Sequence, residues 1–108
     1  MSSYTVYVTP AALVAAKNLP GHVRQRVKRA IDDLQTEPRP AESKELDFPE
    51  AKQPSGNKVE VRRLRLDKWR VLYTIHEAHK VVDVLAIRKR PPYDYGDLGN
   101  LLRDVGRE

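Results

Sequence analysis

Arg63-Leu64-Arg65-Leu66-Asp67-Lys68-Trp69-Arg70-Val71-Leu72-Tyr73 is the stretch on which the fold turns. Leu64 and Leu66 alternate with Arg63 and Arg65. After Asp67-Lys68, Trp69, Val71, Tyr73 and Ile75 fall on one side and Arg70, Leu72 and Thr74 on the other. A period of two belongs to a pleated strand with one face turned to a core. The polar pair between the two runs reads as a tight turn, so the stretch predicts two antiparallel strands. Upstream, Val59 and Val61 also alternate with charged residues, but their phase slips by one relative to Leu64 and Leu66. The slip predicts a β-bulge near Arg62-Arg63.

Outward from this centre the chain is ordered simply. His76 to Lys80 is a turn, and Val81-Val82-Asp83-Val84-Leu85-Ala86-Ile87 is a nearly unbroken β-forming run, as expected of a strand covered on both faces. It runs out into Arg88-Lys89-Arg90 and stops at Pro91-Pro92. Leu98, Leu101, Leu102 and Val105 then recur at helical spacing and predict a C-terminal helix within Asp94 to Val105. At the other end, Tyr4-Thr5-Val6-Tyr7-Val8 is β-branched and aromatic. Thr9-Pro10 supplies an N-cap and a first helical residue for a short helix over Ala11 to Leu19. Pro20-Gly21 breaks it, and Val23, Val27, Ala30, Ile31 and Leu34 mark the buried stripe of a longer second helix whose outer face carries Arg24, Arg26, Lys28 and Arg29. Residues 36–57 hold Pro38, Pro40, Pro49, Pro54 and Gly56 among five acidic side chains and read as a loop without regular structure, anchored by Leu46 and Phe48. The fold class expected is α+β: an N-terminal strand and helical hairpin on a three- to four-stranded, mainly antiparallel sheet, with a C-terminal helix, all in a single domain over 1–108.

Composition narrows the function. A chain of 108 residues that is 40% hydrophobic and 32% charged has enough apolar residues for one core and no apolar run of the ~18 residues a membrane span needs. Having no cysteine, it has no disulfide, thiol nucleophile or thiolate metal site. The opening MSSYTVYVTP lacks the basic patch and long apolar stretch of a secretory signal, and the expected location is the cytoplasm. The net charge is +5, but Lys58 to Arg90 alone holds ten Lys/Arg against four acids, while the remainder is slightly acidic. All the positive excess lies in the sheet-forming segment, as a localised polyanion-binding surface requires.

Two-residue spacing puts Arg63 and Arg65 on one strand face, sets Arg70 opposite the core positions of the next strand, and aligns Arg88 with Arg90 on the last. A meander brings these three sets side by side. Such a cluster is either a solvated face with acidic partners or a phosphate site, since unpaired arginines repel one another. Lys58, Arg62, Lys68, Arg88 and Lys89 are flanking cations able to bind RNA. Tyr93 and Tyr95, just beyond Arg90, can stack on bases or supply a hydroxyl, or else pack the C-terminal helix onto the sheet. His22, His76 and His79 read as ordinary surface histidines, no serine elbow accompanies them, and no metal or other cofactor is indicated.

The order of elements, the Arg63-x-Arg65 pair followed by Trp69-Arg70-Val71-Leu72-Tyr73, and the late Ile87-Arg88-Lys89-Arg90 with tyrosines after it resemble the RelE/ParE superfamily of toxin–antitoxin toxins. The RelE branch consists of ribosome-dependent endoribonucleases that cleave mRNA without a metal and inhibit translation. The resemblance implies that the 2′-hydroxyl attacks the adjacent phosphate and that the protein orients it, accepts a proton and stabilises charge. By motif position Arg70 matches the phosphate-holding arginine, Arg63 a basic residue acting with it, and Arg90 the arginine that stabilises the developing phosphorane. Tyr93 or Tyr95 matches a C-terminal tyrosine that stacks on or deprotonates the substrate. A lysine of the RelE pattern falls where this chain has Val61, and Lys58 or Arg65 is a possible substitute. The partners implied are a cognate antitoxin encoded adjacently, acidic or wrapping the toxin with a strand and helix, together with the ribosome and mRNA; no membrane is implied. The competing readings are ParE-like inhibition of DNA gyrase without RNA cleavage, and a non-catalytic basic module that binds RNA or the ribosome.

Overall fold

The computed structural model describes residues 3–46 and 59–89. In chain order the elements are β1 (Thr5–Val8), α1 (Pro10–Lys17), α2 (Gly21–Asp33), β2 (Ser43–Leu46), β3 (Glu60–Leu66), β4 (Trp69–His76), a 3-10 turn (Glu77–His79) and β5 (Val81–Lys89). The strands form one sheet in the order β1-β5-β4-β3-β2. β1 runs parallel to β5, and every other neighbouring pair is antiparallel.

The sheet therefore has five strands, where three or four were expected. The addition is β2, inside the stretch read as structureless, which pairs Ser43 with Leu64 and Leu46 with Val61. Four residues among prolines and acids are too few to show a period, and the strand exists because β3 offers an edge to pair with. Leu46 is half-buried, as an anchor should be; Phe48 and the expected C-terminal helix lie outside the described residues.

Thr9 ties the helices to the sheet. Its hydroxyl oxygen accepts the Ala12 N–H at 3.3 Å and its O–H donates to the Leu85 carbonyl at 3.2 Å, with Pro10 in the first helical position. The cap and the junction are thus one side chain. Val27 and Ile31 from α2 and Leu34 just after it, with Ala12 and Leu19, pack on Leu64, Val71, Tyr73, Ile75, Val82, Val84 and Ile87. Each large aliphatic buried this way contributes roughly 1.5–3 kcal/mol. Tyr73 is fully buried and its hydroxyl donates to the Pro38 carbonyl at 2.7 Å, pinning the chain after α2 to the core.

The register explains the phase slip in β3. Residues directly opposite one another share a face: Glu60, Arg62, Leu64 and Leu66 lie with Ile75, Tyr73, Val71 and Trp69 on the helix side, whereas Val61, Arg63 and Arg65 lie with Thr74, Leu72 and Arg70 on the other. The pairing is continuous, so the expected bulge at Arg62-Arg63 is absent; the irregularity falls instead between β4 and β5, at Leu72/Tyr73. The apolar residues of β3 change face because both faces of this sheet are buried, with Val61, Leu72, Thr74, Asp83, Leu85 and Ala86 enclosed on the second face.

At one end of the sheet a polar network joins five segments of the chain. Arg39 donates to Glu60 (2.9 Å) and Glu77 (3.0 Å), Arg62 to Glu60 (2.6 Å) and to the Ser43 hydroxyl (3.0 Å), and the Tyr4 hydroxyl to Glu77 (2.9 Å), which Lys80 also meets. Partial burial raises the Glu60 carboxyl, but the bonds from Arg39 and Arg62 outweigh that and hold it below the usual range. Lys80, Arg39 and Tyr4 bring Glu77 down to about 2. Both folded-state values lie below the unfolded ones, so this stabilisation is present above the ordinary carboxylate value of 4.5 and lost as pH falls toward about 2. The urea midpoint of the wild-type chain is expected to fall over that interval more steeply than that of a Glu60→Gln/Glu77→Gln variant. In the same measurement at neutral pH, Tyr73→Phe is expected to cost about 1 kcal/mol through the orphaned Pro38 carbonyl.

A candidate nucleic-acid interface on the second sheet face

Three strands bring arginines into one row. Arg65 on β3 stands directly opposite Arg70 on β4, and Arg70 directly opposite Arg88 on β5. Directly opposite residues in such pairs are about 4.5–5.5 Å apart between Cβ atoms, close enough for like charges to destabilise. The next row on the same face is Lys44, Arg63, Leu72 and Ala86. Five cations thus occupy two adjacent rows.

Their environments differ. Arg65 is exposed and Arg88 half-buried. Arg63 is partly covered, and its Nε is shut off from water without a hydrogen-bond partner. Arg70 is only 6% exposed, and its guanidinium turns back over its own hairpin, one nitrogen donating to the Asp67 carbonyl (2.8 Å) and the Trp69 carbonyl (2.9 Å). That bond holds a strained turn: Asp67 sits at φ 57°, in the left-handed region. Arg70 therefore fastens the β3–β4 hairpin and contributes charge to the row from beneath it.

The other sequence-chosen residues scatter. Lys68 is exposed in the turn beside the row. Arg62 lies on the helix side of the sheet, engaged by Glu60 and Ser43, and Lys89 lies opposite Trp69 on that same side, so neither joins the row. Lys58, Arg90, Tyr93 and Tyr95 lie outside the described residues. Val61, where the RelE pattern has a lysine, is enclosed on the arginine-bearing face between Leu46 and Thr74.

Two features escaped the sequence reading. Lys44 reaches the arginine face because β2 pairs with β3, and a four-residue strand gives no period to find it by. His76, read as a surface histidine, has a side chain only 11% exposed, with Nε2 3.0 Å from Oδ2 of the fully buried Asp83. The Thr74 hydroxyl lies 3.3 Å from the same ring nitrogen. Hydroxyl and carboxylate share one nitrogen, so the ring cannot relay a proton between them as in a triad; the pair holds β4 to β5. Among the described residues, no three His, Asp or Glu side chains converge as a metal site, and no helix is long and apolar enough to cross a membrane.

The model of a family described as the ParE toxin of type II toxin–antitoxin systems, parDE, matches residues 6–91. A search of curated proteins finds no match. Among solved structures the chain is similar to an archaeal RelE–RelB complex from Pyrococcus horikoshii, at 24% identity and TM-score 0.71, covering 84% of this chain and 99% of that one. It is similar to a RelBE toxin–antitoxin complex from Mycobacterium tuberculosis, at 26% identity and TM-score 0.63, covering 82% and 99%. The isolated RelE toxin of E. coli aligns at 18% identity and TM-score 0.60, covering 96% and 100%.

The arginines separate by role in a stability measurement. Arg70→Ala strands two turn carbonyls and is expected to cost about 1–3 kcal/mol in urea unfolding. Arg65→Ala, on the exposed flank of the same row, is expected to stay within about 0.5 kcal/mol of wild type.

Proposed function

Because this chain belongs to the ParE toxin family and is the toxin of a type II toxin–antitoxin system, partnered by a cognate antitoxin, we propose that it acts by cutting mRNA on the ribosome with the arginine-bearing sheet face. The observation that carries the reading is the row Arg65–Arg70–Arg88, with Lys44 and Arg63 in the row beside it and Glu42 at the outer end of the first, where its backbone carbonyl accepts the Arg65 N–H. Cations set opposite one another repel, and an anion laid over them relieves that repulsion. A phosphodiester supplies one every nucleotide.

The chemistry such a face can support is strand transesterification. The 2′-oxygen attacks the adjacent phosphorus as its proton passes to a base, and the P–O5′ bond breaks with a proton delivered to the departing 5′-oxygen. The products are a 2′,3′-cyclic phosphate and a free 5′-hydroxyl. Arg63, Arg65 and Arg88 contribute by holding the phosphate in line and by countering the extra negative charge of the phosphorane. Arg70 contributes through the hairpin it fastens. Arg90, with Tyr93 or Tyr95, is proposed for the remaining charge and proton work, by their positions in the motif. Lys58 and Lys68 extend the cationic track along the RNA. The chemistry proposed needs no metal.

The family match to ParE toxins favours a second reading, in which the chain arrests DNA gyrase and leaves RNA intact. Induced expression in a bacterium separates the two. Primer extension on a reporter mRNA is expected to show in-frame cuts with the wild-type chain, lost with Arg65→Ala or Arg88→Ala. Growth arrest with intact mRNA and altered plasmid supercoiling would sink the RNA reading and establish the gyrase one.

A further inference from the structure

We propose that Lys44, on the edge strand β2, is a phosphate-contacting residue of the same face, supplying from a neighbouring strand the lysine that the motif places at the position of Val61. This rests on the RNA reading above and extends it to a residue the motif does not contain.

The geometry points there in three ways. First, Val61 is enclosed, 1% exposed between Leu46 and Thr74, so no side chain at that position projects from the face. Second, Lys44 stands directly opposite Arg63 and diagonal to Arg65, and it is exposed. A diagonal neighbour on one sheet face lies about 7–8 Å away, within the reach of two long side chains converging on one phosphate group. Third, among the described residues no ion pair engages Arg63 or Lys44, and Arg63 has a shielded Nε with no hydrogen-bond partner. β2 also carries a carboxylate, Glu45, but its register puts it opposite Arg62, on the helix side. Within Ser43–Leu46 the cation therefore lies toward the arginines and the anion away, while Glu42, just before the strand, meets Arg65 through its backbone carbonyl.

A lysine kept only to solvate an edge strand has no reason to stand against an arginine, since the pair is mutually repulsive. A lysine that shares a phosphate with that arginine does. The two roles predict opposite couplings between stability and binding.

The test uses the full chain and a fluorescein-labelled, mixed-sequence single-stranded oligoribonucleotide, read by anisotropy over a salt series. Lys44→Gln is expected to weaken binding about tenfold and to reduce the magnitude of the log–log salt slope by about 0.7, the contribution of one phosphate contact on single-stranded nucleic acid. Lys44→Arg is expected to bind like wild type. Lys28→Gln, the same charge change on the outer face of α2, is the control and is expected to leave both quantities unmoved. The melting temperature of Lys44→Gln is expected to hold or rise, because a like-charge pair has been relieved, and a simple structural role would not raise stability while lowering affinity. Equal behaviour of Lys44→Gln and Lys28→Gln, with the wild-type chain binding RNA, would overturn the assignment of Lys44 alone. A wild-type chain with no salt-dependent RNA binding would overturn both this proposal and the reading beneath it.

Discussion

Everything on the second sheet face depends on a two-residue turn. Asp67 and Lys68 connect β3 to β4 so that Leu66 faces Trp69 and Arg65 faces Arg70. Side chains alternate in a strand, so a slip of one residue would send Arg63 and Arg65 to the helix side and Leu64 to the other. The turn is stable at this register although Asp67 is in the left-handed region, because the Arg70 guanidinium holds the Asp67 and Trp69 carbonyls. Asp is among the residues that tolerate that conformation, so the strain is modest. The arginine that the motif singles out for substrate is thus also the one that fixes where the other arginines point.

The second constraint is burial on both faces. β4 and β5 are enclosed above by α1 and α2 and below over Leu72, Thr74, Leu85 and Ala86. A sheet with two covered faces is rigid enough to hold cations at close quarters, and the repulsion they generate is offset by the apolar burial around them. Asp83, fully buried in the row beyond Leu72 and Ala86, is met by His76. This buried carboxylate is therefore kept away from the arginine row and engaged locally.

Much of this is legible in the sequence. The alternation in Trp69 to Ile75 gave the correct face for each residue of β4, and Thr9-Pro10 gave the helix start, because those signals are local: a period, a cap, a ring that fixes φ. β2 was hidden because a strand of four residues is made by its partner's edge and not by its own sequence. The misplaced bulge has a related cause. A change of apolar phase within a strand reads as an insertion if one face is taken to be wet, and as plain pairing if both are dry. Likewise Arg62 and Arg63 are adjacent and identical in sequence, and only the register reveals that one is engaged with Glu60 on the helix side of the sheet while the other joins the cations. Side-chain destinations that depend on a second strand cannot be read from the first.

The parallel pairing of β1 with β5 has a consequence in time. Thr9 reaches Leu85 across 76 positions of sequence, and β1 finds its place only against β5. Closing so long a loop costs entropy that is repaid only when the late strand arrives. Arg88 comes from that same late strand. Until β5 has been made and paired, neither the finished sheet nor the assembled cation row exists, and whatever activity resides there waits on that one strand.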